Sequence, residues 1–155
     1  ANSGQYARRL RAYGYAGRIV SYEPQSAAHA ELTRNAAGDA LWEVAPRAAV
    51  GASSGEITVH ISAESDMSSV RPLTEETAKI FTSSRMIANE SAPVVTLQAE
   101  IGLRTTPTDR VFVKSDTQGF EDAVLDGLGD AAARVAGLQL ELSLHPIYQG
   151  QKRYL

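Results

Sequence analysis

Arg110-Val111-Phe112-Val113-Lys114-Ser115-Asp116-Thr117-Gln118-Gly119 is an apolar run that ends abruptly in polar residues and a glycine. The run has the character of a buried strand, and Asp116 to Gly119 reads as the loop leaving its carboxyl end. A helix is expected from about Gly119 to Leu125, with Gly127 as its stop. Leu138-Gln139-Leu140-Glu141-Leu142 reads as the last clear strand. Strands separated by helices imply a mostly parallel α/β sheet, because parallel neighbours need a crossover between them.

Moving outward to the amino end, the same alternation recurs. Tyr6, Leu10 and Tyr13 fall at helical spacing, and Gly14 ends that helix. Arg18 to Tyr22 is a short strand with Glu23 at its end, and Pro24 opens a helix that runs to about Asn35. Leu41 to Val50 is a strand region interrupted at Pro46. Glu56 to Ile61 alternates, with Ile57, Val59 and Ile61 on one face and Glu56, Thr58 and His60 on the other. Ser62 to Ala92 is expected to be polar and irregular, with one short helix from Thr74 to Phe81. Order is expected to resume at Val94.

The chain has 155 residues, 43% hydrophobic and 21% charged, with a net charge of −3 and no cysteine. That length suits one domain, read as 1–155. Its charge offers no electrostatic footprint for nucleic acid, and no apolar run approaches a membrane span. Lack of cysteine excludes a disulfide scaffold and a thiolate metal site and suits a reducing compartment, so the expected location is cytoplasmic. The chain opens at Ala1 without methionine and stops at Leu155 without a closing element. Both ends are expected to be cut, so a missing signal peptide is no evidence of location.

In an open parallel sheet, ligands bind beyond the carboxyl ends of the strands. The polar residues there are Glu23, then Asp116 with Gln118, then Glu141 with His145. Glu23 follows Gly4 by nineteen residues, a spacing that suits an acid gripping ribose hydroxyls. The same acid is also accounted for as a solvated charge near a helix N-terminus. A dinucleotide fingerprint is missing, because Gly4 is followed by Gln5, Tyr6 and Ala7. The near match Gly127-Leu128-Gly129-Asp130-Ala131-Ala132 follows a helix, not a strand, and reads as a helix stop.

Several stretches together resemble the FkbM-type methyltransferases. Ala1-Asn2-Ser3-Gly4-Gln5-Tyr6 is similar to the tail of that family's first motif, and Tyr22-Glu23-Pro24 to its F-E-P step. Met67-Ser68-Ser69-Val70 resembles its serine pair and Val95-Thr96-Leu97 its T-L-D step. Val113 to Glu121 resembles the K-x-D-x-E/Q-G-x-E signature, the most specific of these pieces. Leu140-Glu141-Leu142 and Pro146-Ile147-Tyr148-Gln149-Gly150-Gln151 follow in order. Gln98 stands where T-L-D has its acid, and Ser115 replaces an apolar strand residue.

The resemblance implies a Rossmann-like class I sheet, mostly parallel, whose first strand would precede Ala1. It also implies an S-adenosylmethionine-dependent enzyme methylating a hydroxyl of a sugar, polyketide or other small metabolite. Carried onto this chain, Asn2, Gly4, Gln5, Tyr6, Glu23 and Pro24 become the cofactor-binding candidates.

Asp116 is the first candidate for the base that takes the acceptor's proton, with His145 in reserve. Capping the next helix is the structural alternative for Asp116. Ser68, Ser69, Gln118 and Glu141 are the substrate-binding candidates. Glu121, in the first turn of a helix, is given mainly a structural role. Asp116, Glu141 and His145 would suit Mg²⁺ if they converged, yet nothing in their spacing requires it, and no metal is assigned. His29 and His60 are expected at the surface. The Asn89-Glu90-Ser91 triplet carries no weight as a glycosylation site.

The loop from Ser62 to Ala92, with Asp66, Met67, Ser68 and Ser69, is the expected acceptor-binding lid. Partners are expected to be a small-molecule or glycan acceptor, with no nucleic acid and no membrane, and the sequence leaves oligomeric state open. The reading from another class is a catalytically silent nucleoside-binding or partner-binding α/β domain. A nicotinamide-dependent oxidoreductase ranks third because of the glycine register.

Overall fold

The computed structural model describes residues 1–63, 67–80 and 86–153. The elements in order are α1 (Gln5–Ala12), β1 (Ile19–Ser21), α2 (Ser26–Ala36), β2 (Trp42–Val44), β3 (Ala49–Val50) and β4 (Gly55–Ser62). Then come α3 (Glu75–Ile80), β5 (Met86–Val95), α4 (Leu97–Arg104), β6 (Val111–Ser115), α5 (Glu121–Asp126), a 3₁₀ helix (Gly129–Arg134) and β7 (Val135–Leu140).

The fold is mixed α/β. Among the described residues the strands form three small sheets instead of one continuous sheet. β1 and β2 pair in parallel, as do β6 and β7, with Ser115 opposite Leu140. The third sheet has the order β3-β5-β4, parallel across β3–β5 and antiparallel across β4–β5. The expected parallel character is therefore present in small pieces, while the longest ladder is an antiparallel hairpin.

That hairpin corrects the sequence reading of Ser62 to Ala92. Met86 to Ala92 belongs to β5, with Asn89 opposite His60 and Ala92 opposite Ile57. Ala88, Asn89, Glu90 and Pro93 are poor strand formers, so local preference gave no signal. Long-range pairing with β4 overrides it. Asn89, Glu90 and Ser91 thus lie in a strand, and Asp66 and Phe81 lie outside the described residues. α4 was also missed. Thr96 caps it by accepting a hydrogen bond from the Ala99 N–H at 3.3 Å, and Leu97 and Ile101 face the core one turn apart.

Two apolar clusters hold the elements. Leu97, Ile101, Val113, Val124, Leu128 and Ala131 pack α4, α5 and the 3₁₀ helix against β6. Ala7, Leu32, Ala36 and Trp42 join α1 and α2 to β2, with Ile19 and Val44 alongside. The burial on α1 falls on Ala7, whereas Tyr13, placed on the apolar face by spacing, is 82% exposed. Gly4 explains the close approach of α1. Its φ is +90°, and a Cβ there would stand 2.6 Å from Cζ2 of Trp42. The Trp42 ring N–H is satisfied by Ser21 Oγ at 3.0 Å. No helix among the described residues is long and apolar enough to cross a membrane.

Candidate active site

β6 ends at Ser115, and the chain turns immediately through Asp116, Thr117, Gln118 and Gly119 into α5. Gln118 and Gly119 both have positive φ, +54° and +91°. A non-glycine residue in that region costs ~1–3 kcal/mol and persists only where its neighbours over-determine it. Ser69 Oγ donates to the Gln118 carbonyl at 2.7 Å, one of the contacts that hold the turn. Glu121 supports it from beneath. Its Oε1 accepts from Thr117 N at 2.8 Å, Thr117 Oγ1 at 3.1 Å and Gly119 N at 3.4 Å. Glu121 is 1% exposed, consistent with the structural role expected for it.

The turn forms one wall of a cavity of about 390 Å³. Met67, Asp116, Gln118, Glu121, Glu141 and Tyr148 are among the residues lining it. Lys114 Nζ lies 3.1 Å from Asp116 Oδ2 and 3.9 Å from Glu141 Oε2. Gln118 Nε2 donates to Asp116 Oδ1 at 2.9 Å. Burial works against the charge on Asp116, but hydrogen bonds with Glu141, Lys114 and Gln118 and the Lys114 charge hold its carboxyl below the usual range. Glu141 moves the opposite way. Its hydrogen bond to Asp116 and the charge there, with burial added, push it up. The two neighbouring carboxyls are thus shifted in opposite directions, Asp116 down and Glu141 up.

The sequence candidates do not fall in one place. Asp116, Gln118 and Glu141 come together at the cavity. Asn2 and Glu23 meet just past the end of β1, while Gly4 packs against Trp42 and Leu32. Glu23 Oε2 accepts from the Ala1 amino group at 3.0 Å and from Asn2 N at 2.6 Å, and Oε1 accepts from Gln25 N at 2.9 Å. Gln5 is exposed, and the Pro24 carbonyl accepts from Arg47 Nη1 at 2.6 Å. Tyr6 bridges the two regions. Its hydroxyl donates to Gln139 Oε1 at 2.8 Å, and its ring lies 5.8 Å from Lys114 Nζ.

Ser68 and Ser69 are buried, and Ser68 Oγ accepts from Ser62 N at 3.0 Å. His145 is exposed and is not among the cavity-lining residues. His29 and His60, expected at the surface, are half-buried: His29 Nε2 lies 2.9 Å from the Ala45 carbonyl and His60 Nδ1 2.8 Å from Asn89 Oδ1.

Three further residues, to which the sequence reading assigns no role, shape this site. Tyr148 is 1% exposed, and its hydroxyl lies 2.9 Å from Gln118 Oε1. Lys114 lies in the signature stretch, and its ion pair with Asp116 is encoded only as a two-residue spacing along a strand. Arg71 makes a two-bond contact to Asp122 at 2.9 and 3.0 Å, donates to the Gly150 carbonyl and lies over the Phe120 ring. With the backbone bonds Thr74 N to Ile147 O and Gln149 N to Pro72 O, it ties Arg71–Thr74 to the carboxyl-terminal segment. Among the described residues, no group of three or more acids and histidines is arranged to hold a metal ion.

A family model described as "Methyltransferase FkbM domain" matches residues 1–154. No curated protein and no solved structure matches the chain.

Proposed function

The chain belongs to the FkbM methyltransferase family, and we propose that it uses S-adenosylmethionine to methylate a hydroxyl of a sugar, polyketide or other small metabolite. The observation that carries this reading is the Asp116 carboxyl at the carboxyl end of β6, facing a cavity and paired with Lys114 at 3.1 Å. A hydroxyl must lose its proton as it gains a methyl group, and a placed base contributes ~10²–10⁴-fold. Asp116 is the proton acceptor in this reading, and Gln118 and Glu141 orient the acceptor beside it.

The donor set at the end of β1 fits the cofactor's chemistry. Glu23 is a carboxylate beside backbone N–H groups, and its Oε1, with one bond made, retains lone-pair capacity for a hydroxyl. Asn2, Gly4, Gln5, Tyr6 and Pro24 would form the remainder of that site. When bound, S-adenosylmethionine supplies a methyl group on a positively charged sulfur. Three acidic side chains, Asp116, Glu121 and Glu141, line the cavity, a composition that suits such a charge. Met67, with Ser68 and Ser69 behind it, forms the lid side. This reading takes the three small sheets as parts of a Rossmann-like class I arrangement.

The test is transfer of isotopically labelled methyl from S-adenosylmethionine across a panel of hydroxyl acceptors, with wild-type protein and Asp116→Asn. Transfer to oxygen that falls at least ~100-fold in the variant supports the reading. Transfer to nitrogen or carbon, or equal rates in both proteins, contradicts it.

A further inference from the structure

We propose that Tyr148 is a positioning residue that holds the Asp116 carboxylate through the side-chain amide of Gln118. The inference rests on Asp116 being the proton acceptor. Tyr148 is almost fully buried, so its hydroxyl needs a hydrogen-bond partner. It has one proton to give, and among its contacts with described residues are Gln118 Oε1 at 2.9 Å and the Met67 carbonyl at 3.3 Å. Of these two the nearer, Gln118 Oε1, accepts from the hydroxyl.

This choice fixes the amide's direction. With Oε1 facing a donor, Nε2 faces Asp116 Oδ1 at 2.9 Å and donates to it. The reversed amide would set its carbonyl oxygen against a carboxylate, two acceptors with no proton between them. Both ends of the amide therefore favour one orientation. The result is a directed chain from the Tyr148 hydroxyl to the Gln118 carbonyl, and from the Gln118 N–H to Asp116. The left-handed backbone at Gln118 is part of the device, because it turns the side chain back toward Asp116 while Tyr148 and Ser69 hold it there.

Among the described residues, the other groups near Asp116 include Lys114 on β6, Glu141 beyond β7 and Glu121 on α5, with Tyr6 of α1 over Lys114. None of them contacts the Gln118 amide through a hydrogen bond with Nε2 or Oε1 among the described residues. Tyr148 thus controls one oxygen of Asp116, and Lys114 holds the other.

The test reads the carboxyl directly and needs no acceptor. The Asp116 side-chain carbon is titrated by ¹³C NMR in wild-type protein, Tyr148→Phe, Gln118→Ala and the double variant, with Asp116→Asn giving the assignment. Tyr148→Phe is expected to raise the Asp116 midpoint by roughly half a unit or more. The double variant is expected to rise no further than Gln118→Ala alone, as residues in one chain are non-additive. An unchanged midpoint in Tyr148→Phe, or additive shifts, overturns the proposal.

A second readout covers the case in which Tyr148→Phe does not fold. In the unaltered protein, the Gln118 side-chain amide signals should titrate with Asp116 and exchange slowly with solvent. An amide that ignores that titration and exchanges like free glutamine also overturns it. The two readings fail separately. If Asp116→Asn keeps full methyl transfer, the proton-acceptor role is lost. If it loses transfer while Tyr148→Phe leaves the midpoint in place, only the positioning role is lost.

Discussion

A Cβ placed on Gly119 would stand 2.8 Å from Cδ2 of Tyr148. The turn after β6 and the segment carrying Tyr148 are thus in van der Waals contact at a position that has no room for a methyl group. Gly119 also sits at φ +91°, where a side chain is strained whatever the space. Gly119→Ala combines both penalties, and the expected loss is about 2–4 kcal/mol of unfolding free energy. Denaturant unfolding checks this, and a loss under about 0.5 kcal/mol would mean that Tyr148 moves aside freely.

Arg71 is expected to fasten the lid side of the cavity. Its planar guanidinium reaches both Asp122 oxygens and the Gly150 carbonyl, and a lysine ammonium cannot reproduce that fork. Arg71→Lys should speed amide hydrogen exchange at Thr74 and Gln149 by roughly tenfold, equivalent to about 1.4 kcal/mol. Exchange at α2 should be unaffected. Equal rates at Thr74 and Gln149 in the two proteins would remove Arg71 as the fastening.

Glu100 gives a pH signature. Burial works against its charge, but hydrogen bonds from Arg104 and the Tyr22 hydroxyl, at 2.7 Å each, hold it below the usual carboxylate range. A depressed folded value contributes stability above the unfolded pKa of ~4.3, and that contribution is lost as pH falls through the folded value. Glu100→Gln should therefore flatten the fall in stability between about pH 5 and the folded value. Parallel acid-unfolding profiles for the two proteins would contradict this.

How much of this was legible in the sequence depended on where the determining contacts lie. β6 and α5 were readable because an apolar run, a polar turn and a glycine stop sit next to one another in the chain. The same alternation implied parallel neighbours, which the separate pairs β1–β2 and β6–β7 show, but which strands would pair was not legible. β5 was not readable, since its Ala, Asn, Glu and Pro residues become a strand only against β4, some thirty residues away. Tyr148 was quoted in a motif, yet its role depends on Gln118, thirty positions earlier, and no local pattern encodes that meeting. Tyr13 erred the other way. Helical spacing marked it as apolar face, but the contact with Leu32 and Trp42 is made by the small residue Ala7.

Glu23 carries the cofactor side of the proposal. Glu23→Gln keeps the shape of the side chain and removes the charge that a ribose diol would meet. The expected loss in affinity for S-adenosylhomocysteine is about tenfold or more. Because Ala1 and Asn2 also bond to Glu23, thermal unfolding should be recorded alongside. A folded variant with unchanged affinity would take Glu23 out of the binding site.

The most direct test of the central claim is calorimetric titration of the protein with S-adenosylhomocysteine, with NAD as the control ligand. Saturable binding of S-adenosylhomocysteine and none of NAD is the predicted result. Binding of NAD alone, or of neither ligand by protein shown to be folded, would contradict an S-adenosylmethionine-dependent enzyme.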